Sequence, residues 1–207
     1  MQSWKALPAF ALKPFGFVSR AFLARSVSDF QAAARYLQHL PYGRNTNRAD
    51  FRLVLDEGRG TCSTKHALLV ELAHEQDIPV ALTLGIYAMH ERNTPGVGRI
   101  LEKYGLSFLP EAHCYLTYAK SRVDITRSGV ESNEPITQFF HEETITPTAI
   151  GEYKVEVHHQ YLRTWLMSEP SVVGRAFADI WEIREECIAA LAQEDSSACN
   201  QSTKRKE

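Results

Sequence analysis

The chain has 207 residues, of which 44% are hydrophobic and 23% are charged, and its formal net charge is −2 at pH 7. A chain of this size and composition can bury a core without metal or disulfide staples, so we expect one domain over residues 1–193. The nearly balanced charge gives no reason to expect a nucleic acid or an anionic membrane surface as a partner. No apolar run approaches membrane-spanning length, so no membrane association is expected.

Four cysteines are spread along the chain without a tight framework spacing: Cys62, Cys114, Cys187 and Cys199. In a chain this long, such spacing favours free thiols and a reducing compartment, and we predict a cytoplasmic location. Residues 1–25 are predicted to form an N-terminal arm packed on the domain. A secretory signal is not expected there, because Lys13-Pro14 interrupts the apolar stretch that it would need.

The first predicted helix begins at Ser28-Asp29-Phe30-Gln31, which has the form of a capping box. Apolar residues then recur at helical spacing up to Leu40, and Pro41 disfavours helix in the residue before it. Residues 41–61 follow as a polar connection, within which 51–55 is a short apolar piece of uncertain type.

A second helix is predicted to open at Cys62 and to run to about His74 or Gln76, before Pro79 forbids its continuation. Residues 80–89 follow as a buried strand, because they are rich in β-branched and aromatic side chains. The chemistry-bearing residues of the chain come at the start of this helix and after this strand.

The middle of the chain is predicted to be mainly strand. After a turn at 93–98 and a short helix or loop through Tyr104, residues 113–118 and 122–126 form a predicted hairpin. Residues 144–157 are expected to add a further strand.

A strong last helix is predicted to begin after Pro170 and to continue to about Gln193, with Val173 on its apolar stripe. The small and polar residues 194–207 are predicted to be a disordered tail. Helices before and after a central antiparallel sheet make the predicted fold class α+β.

Cys62 stands behind two glycines, in Gly58-Arg59-Gly60-Thr61-Cys62, at the first turn of the second helix. A thiol there lies in the positive field of the helix N-terminus, which lowers its pKa and favours the reactive thiolate. The unpaired N–H groups beside it can bind the oxyanion of an acyl-transfer intermediate. We expect Lys65, one turn on, to favour the thiolate further.

His113 and Asp124 are candidate partners for this thiol. Val123-Asp124-Ile125 places a carboxylate inside an apolar stretch, and a buried carboxylate needs a partner. An imidazole from the adjacent predicted strand supplies one, and Asp124 in turn fixes the tautomer of the His113 ring. The ring's other nitrogen is then free to deprotonate Cys62, which makes these residues a candidate nucleophile, base and orienter.

A metal site is the main alternative to a nucleophilic role for Cys62, because Cys62 and His66 lie at i and i+4 on one helix. We expect no metal, since His113 and Cys114 are adjacent in a strand and point to opposite faces. His66 is a possible alternative base, although no acid is evidently placed to orient it. His158-His159 is expected to be a solvated surface pair.

Four segments together resemble the transglutaminase-like superfamily. Gly60-Thr61-Cys62-Ser63-Thr64-Lys65-His66-Ala67-Leu68-Leu69 resembles the family's helix that opens with glycine-x-cysteine, and Ile78-Pro79-Val80-Ala81-Leu82-Thr83-Leu84-Gly85 its following turn and strand. Ala112-His113-Cys114-Tyr115-Leu116 resembles the His-initiated strand, and Val123-Asp124-Ile125-Thr126 the "Asp-x-Thr" element. The resemblance covers about a third of the chain, near residues 58–127.

The resemblance implies a papain/transglutaminase-like fold, with the nucleophile helix packed on an antiparallel sheet and flanked by N- and C-terminal helices. It implies Cys62 as nucleophile, His113 as general base and acid, and Asp124 as orienter. No tryptophan lies suitably upstream to complete the family's oxyanion hole, so Asn45, Asn47 or backbone groups would have to serve. This departure makes hydrolysis at least as plausible an outcome as transamidation.

The sequence therefore predicts a cysteine-dependent acyl-transfer enzyme that hydrolyses or transamidates a peptide, protein or small amide through a Cys62 thioester. No cofactor is expected, because this chemistry needs only side chains. Two other interpretations stay open. One is a non-catalytic binding or scaffold module of the same fold, and the other is an arylamine N-acetyltransferase-like enzyme, whose triad has the same order.

Overall fold

A computed structural model of the protein describes residues 3–128 and 134–204 and, within these, side chains up to residue 193. Its centre is a four-stranded sheet in the order β3-β2-β1-β4, in which neighbouring strands are antiparallel. The strands are β1 (Ala81–Met89), β2 (Leu109–Tyr118), β3 (Ser121–Val123) and β4 (His141–Ile145). The predicted α+β class, with an antiparallel sheet and flanking helices, is confirmed.

Helices lie before, between and after these strands. In chain order they are α1 (Phe17–Leu23), α2 (Phe30–His39), α3 (Leu53–Glu57), α4 (Cys62–Glu75), α5 (Gly98–Lys103), α6 (Glu152–Ser168) and α7 (Phe177–Lys204). The first two predicted helices correspond to α2 and α4, and the apolar piece of uncertain type lies largely in α3. Asp29 caps α2 by accepting a hydrogen bond of 2.7 Å from the Ala32 N–H.

The strand β2 separates two cores. Ala112, Cys114 and Leu116 point to one face and pack in a buried cluster with residues of α2 and α4. His113 and Tyr115 alternate to the opposite face, where their rings stack with centroids 6.2 Å apart. The second core contains the ends of β1 and β2 and residues of α5, α6 and α7.

Two glycines shape the approach of the chain to α4. Gly58 ends α3 in a left-handed conformation with φ of 63°, which glycine adopts without a steric penalty. A Cβ atom at Gly60 would lie 3.0 Å from side-chain atoms of Thr64 and Lys65, so the backbone is closely packed against the helix that it enters. The Thr61 N–H then donates to Thr64 Oγ1 at 3.0 Å, which ties the first turn of α4 together.

The N-terminal segment packs against the first core. Leu7, Leu12, Val18 and Phe22 are buried there, and the carboxylate of Glu75 at the end of α4 accepts hydrogen bonds from two N–H groups in the first turn of α1. A negative charge at a helix N-terminus stabilises the helix, so this contact fastens α1 to α4.

The expected strand over residues 144–157 is wrong for most of its length. The strand β4 ends at Ile145, a 3-10 turn covers Pro147–Ile150, and the rest belongs to α6. His158, Leu162 and Trp165 are the buried residues of α6, and their spacings of four and three are those of one helix face.

The last helix differs from its prediction at both ends. Residues Pro170–Val172 form a 3-10 turn, Val173 is 78% exposed, and Gly174 turns the chain with φ of 84° before α7 begins. The backbone of α7 continues to Lys204. The predicted disordered tail, residues 194–207, lies outside the described side chains, and residues 205–207 lie outside the described chain altogether. None of the helices in the described part of the chain combines the length and apolar character that a membrane crossing requires.

Candidate functional site

Cys62 is the first residue of α4 and is only 7% exposed. The first N–H groups of a helix have no partner within it, so Cys62 carries a backbone donor beside its own thiol. The predicted position of this cysteine at a helix start is confirmed, and the packing of Gly60 against α4 determines where the start lies.

His113 and Asp124 come together as the hairpin predicts. His113 Nε2 lies 2.8 Å from Asp124 Oδ2, and the other carboxylate oxygen accepts hydrogen bonds from the N–H and the hydroxyl of Thr126, at 2.8 and 2.5 Å. Asp124 follows β3 directly, so its backbone is held by the sheet. Both oxygens of Asp124 are therefore engaged, and the ring of His113 is fixed in orientation with Nδ1 left for another partner.

The candidate partner is the thiol of Cys62, which lines the same cavity as His113, and the two groups shift each other's pKa. Burial opposes ionisation of the thiol, but the positive charges of Lys154 and His113 outweigh it and lower the pKa of Cys62 to about 6. Burial likewise disfavours the charged imidazole, but Asp124 and the Cys62 sulfur raise the pKa of His113 to about 10. Both shifts favour a thiolate beside an imidazolium at neutral pH.

Asp124 remains ionised in this setting. Burial disfavours its charge, but the imidazolium of His113 outweighs that effect and lowers the pKa of the carboxyl group far below its ordinary value. The structure thus brings the three sequence-predicted residues to one cavity, where His113 is hydrogen-bonded to Asp124 and acts electrostatically on Cys62.

His66 is not a free base. Its Nε2 accepts a hydrogen bond of 2.9 Å from the Ile125 N–H, so its proton is on Nδ1, which donates to the Cys62 carbonyl at 2.7 Å. Burial lowers the pKa of His66 to about 4, and the ring is neutral at pH 7. With both nitrogens engaged, His66 joins the start of α4 to the segment that carries Asp124.

The lysine beside the thiol is Lys154, not Lys65. Lys65 is fully buried and its ammonium donates to the carbonyls of Leu40 and Thr126, at 2.6 and 2.7 Å. Lys154 in α6 is partly buried, and its ammonium lies 2.7 Å from Ser63 Oγ and 3.9 Å from Cys62 Sγ. Desolvation of Lys154 favours its neutral form, but nearby Cys62 and other acidic groups raise its pKa, so it keeps its charge.

Two cavities meet at Cys62. The main cavity, of about 330 Å³, is lined by Cys62, His113 and Asp124, together with Tyr87, Met89 and Ile136. The small cavity, of about 60 Å³, is lined by Cys62, Ser63, Lys154, Arg184 and Trp181 among others. A substrate can therefore approach the sulfur from the main cavity, which carries both polar and apolar side chains.

A buried ion pair supports the wall between the two cavities. Arg184 donates to both carboxylate oxygens of Glu111, at 2.8 and 2.5 Å, and Glu111 lines both cavities. Burial opposes ionisation of Glu111, but Arg184 outweighs it and lowers the pKa of this carboxyl group to about 2. Such a bidentate pair joins α7 firmly to β2 two residues before His113.

The expectation of a solvated pair at His158-His159 is wrong for His158. This ring is 2% exposed, its Nε2 bonds the Pro110 carbonyl at 2.8 Å, and burial lowers its pKa to about 4. His159 is partly buried and packs edge-on against Trp181, with ring centroids 4.3 Å apart. The error follows from the missed helix α6, in which His158 lies on the buried face with Leu162 and Trp165.

The asparagines considered for the oxyanion hole are engaged elsewhere. The side-chain nitrogen of Asn45 donates to Glu57 and to the Arg59 carbonyl, at 3.1 and 3.0 Å, and the side-chain oxygen of Asn47 accepts from the Ala49 N–H. Neither asparagine lines either cavity.

A comparison of this chain with protein-family models, with curated proteins and with solved structures found no match. The functional proposal therefore rests on the residues of the site and their geometry.

Proposed function

We propose that the protein is a cysteine-dependent acyl-transfer enzyme of transglutaminase-like type, acting on an amide or related acyl group of a peptide, protein or small molecule. The observation that carries the proposal is that Cys62 lines the main cavity together with the hydrogen-bonded pair His113 and Asp124. The sequence resemblance near residues 58–127 supports it. So does the α+β architecture, in which a helix that begins with cysteine packs against an antiparallel sheet.

The chemistry proceeds in two steps. The Cys62 thiolate forms a bond to the carbonyl carbon, and the π electrons of the carbonyl move to its oxygen. As this oxyanion collapses, the bond to the leaving amine breaks, and the amine takes a proton from His113 Nδ1. Water or an amine then gives a proton to the same nitrogen and attacks the thioester, releasing Cys62 as thiolate. Asp124 holds the ring in position in both steps.

The proposal is tested with p-nitrophenyl acetate as a generic acyl donor. We expect a burst of nitrophenolate and an acetyl group on Cys62, detected by intact and peptide mass spectrometry. Cys62→Ala is expected to lower the burst by roughly 10⁴-fold or more, since the residues of such a device act as a unit. Cys114→Ala removes a buried thiol outside the group Cys62, His113 and Asp124 and is expected to retain the burst.

The same assay distinguishes hydrolysis from transamidation, the two outcomes that the sequence leaves open. Adding a primary amine as acceptor gives an amide product if the thioester is transferred, and only acetate if it is hydrolysed. A wild-type protein without a burst, or a burst that survives in Cys62→Ala, would reject the proposal.

One observation favours the alternative of a non-catalytic binding module, namely that Cys62 and His113 are each only 7% exposed. Such a module would keep the fold and the main cavity but would show no acylation of Cys62.

The cysteines Cys62, Cys114 and Cys187 are free thiols, which supports a reducing compartment and hence the proposed cytoplasmic location.

A further inference from the structure

The Cys62 sulfur lies between two cations that belong to different cavities. His113 lines the main cavity, Lys154 lines the small cavity, and Cys62 lines both. His113 is hydrogen-bonded to Asp124, and its pKa is raised by Asp124 and by the nearby thiol. Lys154 approaches from the small cavity, and its ammonium donates a long hydrogen bond of 3.9 Å to the sulfur.

The geometry points to Lys154 as a catalytic residue that donates a charged hydrogen bond to the oxyanion formed when Cys62 attacks a carbonyl. The inference rests on the proposed acyl-transfer function and supplies the donor that the asparagines do not. Together with the Cys62 N–H, Lys154 would form a two-donor oxyanion hole at the mouth of the small cavity.

Distance supports this assignment. The oxygen of an attacked carbonyl is two bonds from the sulfur, and charge-assisted hydrogen bonds from nitrogen are about 2.7–2.9 Å long. An ammonium 3.9 Å from Cys62 Sγ can therefore reach that oxygen with a small movement of a flexible side chain. Ser63 Oγ, 2.7 Å from Lys154 Nζ, holds the ammonium in place before substrate arrives.

The direction of attack also supports Lys154 as the oxyanion donor. A substrate in the main cavity presents its leaving group to His113, which must protonate it. The carbonyl oxygen then points away from His113, toward the side of the sulfur that carries Lys154. The ammonium keeps its proton throughout, because it stabilises the negative oxygen by a hydrogen bond and releases it when the carbonyl re-forms.

Lys154 also stabilises the thiolate itself, so a test must separate the two effects. Alkylation by iodoacetamide requires the thiolate but forms no oxyanion, whereas acylation by p-nitrophenyl acetate requires both. We compare Lys154→Met with the wild type at the plateau of each protein's own pH profile, where the thiol is fully ionised in both.

The expected result is a loss of acylation rate of roughly 10²–10³-fold in Lys154→Met, the usual effect of removing an oxyanion donor, with the alkylation plateau almost unchanged. Lys103→Met is the matched control, because this lysine is 59% exposed, pairs with Glu186 and lines neither cavity. We expect it to match the wild type in both reactions. Lys154→Arg keeps the charge and is expected to recover at least about tenfold of the acylation lost in Lys154→Met.

The outcomes are distinguishable. If acylation and alkylation fall together, or if acylation does not fall, Lys154 is not the oxyanion donor and the proposed function still stands. Failure of Lys154→Arg to recover acylation would overturn the inference in the same way. If the wild type is alkylated but never acylated, the proposed function fails and the inference fails with it.

Discussion

Cys62 and Cys114 are two buried thiols that both lie near Ser63, yet their acidities are displaced in opposite directions. Burial raises the pKa of Cys114 to about 11, and Lys154 offsets this only in part. Burial acts on Cys62 as well, but the positive charges of Lys154 and His113 together lower its pKa to about 6. Burial alone therefore does not activate a thiol, and the contact with a charged imidazole makes the difference.

His66 and His113 offer a second comparison, between two buried groups whose charged form is positive and whose pKa values are shifted in opposite directions. Both rings are buried in the same part of the molecule, with centroids 6.3 Å apart. Asp124 accepts from His113 at 2.8 Å and raises its pKa, whereas both nitrogens of His66 are bonded to backbone groups and Asp124 Oδ1 is 3.5 Å from its Nε2, too weak an influence to outweigh burial. The ring that is hydrogen-bonded to the carboxylate and lies near the sulfur becomes the more basic one.

Among the substitutions that test this comparison, His113→Ala is expected to have the largest effect. It should make Cys62 a weakly acidic, unreactive thiol like Cys114. Without the imidazolium, the pKa of Cys62 should rise toward the ordinary value of about 8.5, measured by iodoacetamide alkylation against pH. Loss of general acid–base catalysis should lower acylation at pH 7 by about 10³-fold. An unchanged pKa in a folded variant would show that Lys154 alone holds the thiolate.

Asp124→Asn is expected to have the next largest effect, about 10²-fold on acylation, through weaker orientation of His113. The pKa of His113 should fall from about 10, because the largest influence that raises it is the negative charge of Asp124. NMR titration of the ring checks this. A variant with normal acylation and an unshifted imidazole would contradict the role given to Asp124.

The kcat/KM of the wild type is expected to depend on pH through the ionisation of both Cys62 and His113. The pKa of Cys62 is lowered to about 6, so the thiolate is lost as pH falls through that value, and the rate at pH 5 should be about tenfold below the plateau. The pKa of His113 is raised to about 10, so the imidazolium that protonates the leaving group is lost above that value. A kcat/KM profile from pH 5 to 10.5 measures both limbs, and an acid limb near pH 8.5 would contradict an activated thiol.

The smallest effect on reactivity is expected from His66→Leu. The pKa of Cys62 should stay near 6, because neither nitrogen of His66 touches the sulfur. Stability should fall by about 1–3 kcal/mol, since the buried Ile125 N–H loses its acceptor. Urea denaturation measures the second quantity and alkylation the first. A large rise in the pKa of Cys62 in His66→Leu would contradict the conclusion that His113, and not His66, tunes the acidity of the thiol.

Local sequence was sufficient for the parts of the site that lie within one element or one hairpin. The start of α4 follows from Gly60 and Thr61, and the meeting of His113 with Asp124 follows from a hairpin with a short turn. Local sequence failed over residues 152–157, at the start of α6, because aromatic and β-branched residues there fit a strand as well as a helix. The buried stripe of His158, Leu162 and Trp165 was the signal that could have identified α6.

By itself, the sequence determined the α+β class, the helix that begins at Cys62 and the hairpin that carries His113 and Asp124. Only the tertiary structure decided which lysine lies beside the sulfur. It placed Lys154, which is 92 residues further along the chain, next to Cys62, while Lys65 was turned toward two carbonyls. The physical reason is that helix starts and hairpins are specified by neighbours in sequence, whereas the charges that tune a buried thiol come from whichever elements pack against it.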